Sequence, residues 1–145
     1  MTAVRGARPE DAEVLADLTT QLGYPGTAEE LRNRLQALMA VDAGAVFVAV
    51  DERDRPVGWV HVEVQHHLTS ERTGLVAGLV VDERARGRGI GLDLLRRAEE
   101  WALQRGCRTM RVASRVTRER AHRFYLREGY TLLKTSHVFE KPLAG

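Results

Sequence analysis

The apolar run Leu79-Val80-Val81 passes through Asp82-Glu83-Arg84-Ala85-Arg86 into Gly87-Arg88-Gly89-Ile90-Gly91, and then into a strongly amphipathic helical pattern. No other stretch constrains the chain as much, because it sets a strand, a basic glycine-rich turn and a helix in immediate succession. With no Cβ at Gly87, Gly89 and Gly91, the backbone can turn tightly and its N–H groups can point inward together. They converge where the next helix begins, so the positive end of that helix adds to the attraction for an anion. The arrangement implies a phosphate-bearing ligand.

Glycine spacing separates the ligands such a loop could hold. A nucleoside-triphosphate loop needs a Lys-Ser or Lys-Thr pair after its last glycine, and Ile90, Gly91 and Leu92 supply none. A dinucleotide fingerprint begun at Gly87 needs glycine where Leu92 stands. What fits is Arg-x-x-Gly-x-Gly, read as Arg86, Gly89 and Gly91 after the strand Leu79 to Val81. This resembles the coenzyme A pyrophosphate loop of the GNAT N-acetyltransferases. A merely solvated turn is the competing reading, and the position between an apolar strand and a helix weighs against it.

The remaining pattern agrees with an α/β chain. Val4 to Arg8 reads as a short strand, and Pro9-Glu10-Asp11 opens a helix to about Leu22. Gly23-Tyr24-Pro25-Gly26 breaks it, and Thr27-Ala28-Glu29-Glu30 is a capping box for a helix to about Met39. Ala45 to Val50 and Val57 to Gln65 pair as a hairpin, and Thr73 to Val81 is a third long strand. A helix from Gly89 to about Arg105, a strand from Met110 to Ala113 and a helix from Arg118 to Arg127 capped by Thr117 follow. The tail from Thr131 to Lys141 is extended, as one bent strand or two. The resemblance implies a GNAT-like fold, with a mixed, mostly antiparallel central sheet of about six to seven strands, about four flanking helices and a splayed strand pair forming the acyl-CoA cleft.

One domain accounts for all 145 residues, which bury roughly two thirds of their unfolded surface in a single core. The longest apolar runs, Ala43 to Val50 and Gly74 to Val81, are far short of the roughly 20 residues of a membrane span. No signal-peptide core precedes Arg5 and Arg8, so the expectation is a cytoplasmic protein without a membrane partner. A single Cys107 excludes an intramolecular disulfide, and no His/Cys cluster has metal-site spacing, so no metal is expected. Net charge is only +2, yet arginines gather at 84–88 and again at 108–127. Nucleic acid is the weaker reading of those clusters, since they lack interleaved aromatics and helix-turn-helix spacing. Coenzyme A offers them a pyrophosphate and a 3′-phosphate, with about 1.5 to 3 kcal/mol per charge-assisted hydrogen bond.

A second motif, Arg118-x-x-Ala121-x-x-Phe124-Tyr125-x-x-x-Gly129-Tyr130, is similar to the other GNAT signature, Asn-x-x-Ala-x-x-Phe-Tyr-x-x-x-Gly-Phe. The resemblance implies that Ala121 lets pantetheine lie close, that Phe124 packs inward, and that Tyr125 protonates the departing thiolate as general acid. A phenol near 10 and a thiol near 8.5 leave that transfer uphill by about 2 kcal/mol. Arg118 stands where the family often has Asn and is read as a phosphate contact. Main-chain groups of Leu79, Val80 and Val81 are expected to pair with pantetheine, and an N–H near Leu79 to polarise the thioester carbonyl. Gly78 is expected to allow the bulge this requires.

The acceptor amine, near pKa 10.4, is neutral too rarely at pH 7, a deficit of about 4.6 kcal/mol. The family often supplies a base at the position of Leu75, where this chain has none. Glu63 takes that role here, with His66 and His67 as alternatives. Tyr24, with Leu22, Gly23 and Pro25, is expected to line the acceptor site for a small-molecule or peptide amine. The reading is therefore transfer of acetyl from acetyl-CoA, as co-substrate, to a primary amine by direct attack in a ternary complex. A non-catalytic coenzyme A-binding module is the alternative. Homodimerisation is common in the family and is compatible with the sequence.

Overall fold

The computed structural model describes residues 2–144. Its elements are β1 (Ala3–Gly6), a 3-10 turn (Pro9–Asp11), α1 (Ala12–Leu22), α2 (Ala28–Met39), β2 (Gly44–Val50), β3 (Pro56–His67) and β4 (Ser70–Val81). A second 3-10 turn (Glu83–Ala85), α3 (Ile90–Gln104), β5 (Met110–Val112) and α4 (Glu119–Arg127) complete the order. Described residues up to Ala113 form one compact unit and those from Ser114 a second.

The first unit is built on a sheet of order β1-β2-β3-β4-β5, antiparallel except for the parallel pair β4/β5. Strict alternation along β3 gives the sheet two different faces. Gly58, Val60, Val62 and Val64 are buried on one side, while Trp59, His61, Glu63 and Gln65 are half-buried on the other. α3 covers the first face with Ile90, Leu94, Leu95, Ala98, Trp101 and Ala102, all buried, as its 3.6-residue stripe predicts. Each Leu or Ile so placed contributes about 1.5 to 3 kcal/mol. The other face packs Val48, Val50 and Trp59 against Leu15 and Leu31 and Leu35 of α1 and α2. Cys107 is buried with its thiol free.

Local chemistry sets the helix boundaries. At α2 the Glu30 N–H donates to Thr27 Oγ1 and the Thr27 N–H to Glu30 Oε1, both at 3.1 Å, which is the capping box expected from the sequence. Gly23, at φ 103°, closes α1 and lets the Tyr24 N–H return to the Thr19 carbonyl at 3.0 Å.

Three sequence expectations need correction. β3 and β4 run on to His67 and from Ser70, since Leu68 and Thr69 close the hairpin without a glycine or asparagine to mark it. α4 begins at Glu119 with Arg118 in the cap position and no capping side chain, so Thr117 lies in the preceding turn. The sheet has five strands among the described residues, because 131–144 carry no regular structure. An extended run becomes a strand only when its N–H and C=O groups are paired.

The amino terminus is held by charge. Asp11 receives Arg5 through two hydrogen bonds of 2.9 Å and the Arg8 N–H at 2.8 Å, and Asp54 holds Arg5 from the β2–β3 turn at 2.9 Å. Burial alone would raise the Asp11 carboxyl, but the Arg5 guanidinium and the Arg8 N–H outweigh it and hold the acid below its ordinary value. A depressed carboxylate contributes stability above its unfolded pKa and loses it as pH falls through the folded value. Asp11→Ala is expected to cost about 3 kcal/mol at pH 7, because it leaves a half-buried arginine partly uncompensated. Urea denaturation at neutral pH and at about pH 2.5 checks this: the gap between wild type and variant persists down to the ordinary carboxyl range and narrows only below it.

Candidate functional site

The loop after β4 is fixed from outside itself. The Asp82 N–H donates to the Val57 carbonyl at 2.8 Å, and the Glu83 N–H to Gln21 Oε1 at 3.0 Å, tying the loop to β3 and α1. Gly87 and Gly89 adopt φ of 82° and 78°, which side-chain-bearing residues rarely enter. A Cβ on either would meet nothing within 4 Å, so open space lies over both. The Gly89 carbonyl accepts from the Asp93 N–H at 3.1 Å, which makes Gly89 the cap of α3. Among the described residues the N–H groups of Gly87, Arg88 and Gly89 have no acceptor, and those of Ile90, Gly91 and Leu92 are the unpaired first turn of a helix. Ile90 itself is 2% exposed and anchors the turn in the core, so it can serve a ligand only through its backbone. Arg86 and Arg88 are exposed and unpaired among the described residues.

Beside this loop the sheet opens. β5 pairs with β4 only over Gly74 to Val76, so from Ala77 to Val81 β4 has no strand partner on that side among the described residues. A bulge falls where the pairing stops: Gly78 opposes His61, Val76 opposes Val62, and Ala77 is the extra residue. Gly78 is required for another reason than the one expected from the sequence. Its φ is not left-handed, but a Cβ there would lie 2.7 Å from the Trp59 ring. The loop of free donors and the unpaired edge of Leu79, Val80 and Val81 together fit a pyrophosphate followed by an amide-bearing arm.

Glu63 stands directly across from Leu75, and the two share the face turned away from α3. Side chains so paired lie about 5 Å apart at Cβ. Glu63 is half-buried and without an ion-pair partner among the described residues. His66 and His67 are exposed at the hairpin end. His61 went unnoticed in the sequence: its Nε2 is buried without a partner, and burial lowers its pKa although Glu63 pulls the other way. That nitrogen lies 3.7 Å from where a Gly44 Cβ would sit, so it leans toward β2. No motif could have found it, only the alternation of β3. Tyr24 follows the left-handed Gly23 and is 53% exposed.

In the second unit α4 carries Ala121, Phe124 and Tyr125, all half-buried, and Arg118 at its cap. Gly129, at φ 95°, ends the helix; its N–H returns to Leu126 at 3.3 Å and that of Tyr130 to Tyr125 at 3.0 Å. This sets the Tyr130 ring 5.7 Å from that of Tyr125, with Phe124 at 5.1 Å on its other neighbour position. Burial pushes the Tyr125 phenol up to about 12, against the Arg118 guanidinium, which pulls it down. Among the described residues no group of three His, Cys, Asp or Glu could hold a metal, and no helix is long and apolar enough to cross a membrane.

The acetyltransferase (GNAT) family model matches residues 12–130. The chain is 30% identical over 144 residues to an aminoglycoside N(6')-acetyltransferase type 1 of Stenotrophomonas maltophilia, covering 97% of this chain and 93% of that one. It is 43% identical over 89 residues to an aminoalkylphosphonate N-acetyltransferase of Salmonella typhimurium, covering 60% of this chain and 56% of the relative. Among solved structures, the aminoglycoside N-acetyltransferase AAC(6')-Iy in complex with CoA superposes with a TM-score of 0.87 at 17% identity, over 97% and 95% of the two chains, which speaks to the fold. The family match spans the glycine loop and the opened sheet beside it: the chain belongs to the GNAT acetyltransferase family and is an acetyl-CoA-dependent N-acyltransferase.

Proposed function

We propose that residues 1–145 act as one domain that moves acetyl from acetyl-CoA to the primary amine of a small acceptor, by direct attack in a ternary complex. The observation that carries this reading is the capped loop of unpaired N–H donors beside the unpaired half of β4. Arg86, Gly87, Arg88, Gly89, Ile90 and Gly91 hold the pyrophosphate, the glycines and Ile90 through their N–H groups and the arginines through charge as well. Leu79, Val80 and Val81 offer main-chain groups to the pantetheine amides, and an N–H near Leu79 donates to the carbonyl oxygen of the thioester. Arg118, Ala121 and Phe124 belong to the cofactor side in this reading, and Tyr24 to the acceptor side.

Glu63 is the base. It takes a proton from the acceptor ammonium, directly or through one water, and so removes most of the cost of supplying a neutral amine. The amine nitrogen then bonds to the acetyl carbon, the carbon–sulfur bond breaks, Tyr125 delivers its proton to the sulfur, and the second proton lost by the nitrogen as the amide forms returns through water to the Tyr125 phenolate. Support for Glu63 is its place opposite Leu75; support for Tyr125 is the motif around it and a hydroxyl with no hydrogen-bond partner among the described residues. Release of free thiol from acetyl-CoA tests the proposal. It is expected to need a primary amine and to yield the N-acetyl product in equal amount. Thiol release that ignores added amine, or none with any amine tried, would contradict it.

A further inference from the structure

On the face of the sheet turned away from α3, one row runs Gly44, Glu63, Leu75, Arg111 across four strands. Met110, the neighbour of Arg111, points the other way, since a Cβ on its partner Gly74 would collide with the Met110 sulfur and Ala102 of α3. Arg111 therefore shares a face with Leu75 and Glu63. Two strand spacings of about 4.8 Å put the backbones of Glu63 and Arg111 about 9.5 Å apart. Both side chains are half-buried, and among the described residues neither has a hydrogen-bond or ion-pair partner. Between them Leu75 forms an apolar floor. One pair, Val76 and Val112, with side chains on the opposite face, separates this row from the point where β4 and β5 part, so on its own face the row borders the opening assigned above to the acetyl donor.

A half-buried guanidinium without a counter-ion is costly unless something anionic meets it. We propose that Arg111 binds an anionic group of the acceptor while Glu63 faces its ammonium, so that the substrate is a short zwitterionic primary amine bearing a phosphonate, phosphate or carboxylate. This rests on the acyl-transfer reading and on Glu63 as its base, and it adds the acceptor class. The charge arrangement suits one cation and one anion a few bonds apart. It does not suit a polycation such as an aminoglycoside, which would meet Arg111 with repulsion.

Three amines, 2-aminoethylphosphonate, phosphoethanolamine and β-alanine, separate the possible anions, with propylamine and kanamycin as the neutral and polycationic comparisons. The wild type is expected to favour the best anionic amine over propylamine by about 100-fold in kcat/KM, the effect of two charge-assisted hydrogen bonds. That ratio falls to within about threefold in Arg111→Gln, is partly restored in Arg111→Lys, and is unmoved by Arg72→Gln on the exposed hairpin. A preference for propylamine or kanamycin, or a ratio that survives Arg111→Gln, overturns the assignment. The thermal midpoint with CoA bound gives a readout free of turnover. A rise on adding the anionic amines, in the wild type but not in Arg111→Gln, sustains the acceptor class even if nothing is acetylated, in which case it is the transfer reading that fails. No rise in the wild type with any of the three overturns the acceptor class.

Discussion

Tyr125→Phe lowers kcat by about 10²- to 10³-fold, the range of a lost general acid, and leaves the dissociation constant of acetyl-CoA within about twofold. The substitution removes a hydroxyl that has no hydrogen-bond partner among the described residues and only the Arg118 charge acting on it, and keeps the ring that meets Phe124 and Tyr130 edge-on. Stability should therefore move by less than about 0.5 kcal/mol. The proposed role faces a steeper gradient than the sequence suggests. With the phenol pushed up to about 12 and a thiol near 8.5, proton transfer is uphill by about 5 kcal/mol rather than 2. The same dry surroundings that penalise a phenolate penalise a thiolate, so the difference felt by the pair during reaction is smaller. The raised value also fixes a sign. Tyr125 stays protonated through the alkaline range, so kcat/KM for the amine rises with pH as the acceptor deprotonates and shows no fall from Tyr125 below about pH 11. A full rate in Tyr125→Phe with an identified acceptor would remove it from the mechanism.

Gly89→Val weakens acetyl-CoA binding by about 100-fold, equivalent to about 2.7 kcal/mol. Valine at φ 78° is strained, at a cost of about 1 to 3 kcal/mol, and relief of that strain turns the N–H groups of the loop away from their common focus. The protein itself does not resist the side chain, since nothing lies within 4 Å of the Cβ position; the resistance comes from the backbone and from whatever occupies that space. Arg88→Gln is the unstrained companion, expected to lose about tenfold through a single charge-assisted contact. Calorimetric titration of both variants, after the folded fraction is established, measures the two losses. Equal affinity in all three proteins would move the pyrophosphate elsewhere.

Much of this arrangement can be read before any coordinates. The capping box at Thr27, the α3 stripe and the alternation of β3 are local signals whose physics does not depend on the rest of the chain. The loop is legible for the same reason, because positive φ selects glycine wherever it occurs. What escaped the sequence depends on register. Glu63 is named from the sequence, but only pairing shows that it stands opposite Leu75, and Arg111 looks like one more surface arginine until β5 places it in the same row. Gly78 reads as a hinge for the bulge, yet the Trp59 ring lies over it. The Leu68-Thr69 turn has no signal residue, so the hairpin is longer than its pattern suggests. The tail from Thr131 to Lys141 is expected to be extended, yet residues 131–144 carry no regular structure, since an extended run becomes a strand only where a partner is supplied.

The central claim is that the Arg86 to Gly91 loop binds an acyl-CoA and no other nucleotide. The thermal midpoint of the wild type with acetyl-CoA, NAD, ATP or a short DNA duplex tests it most directly. At about 100 times its dissociation constant a ligand stabilises by about 2.7 kcal/mol, a rise of roughly 5 to 10 °C for a chain of this size. The account predicts that rise with acetyl-CoA and none of comparable size with the others. A flat response to acetyl-CoA, or a larger one to DNA that fades steeply with salt, would contradict it.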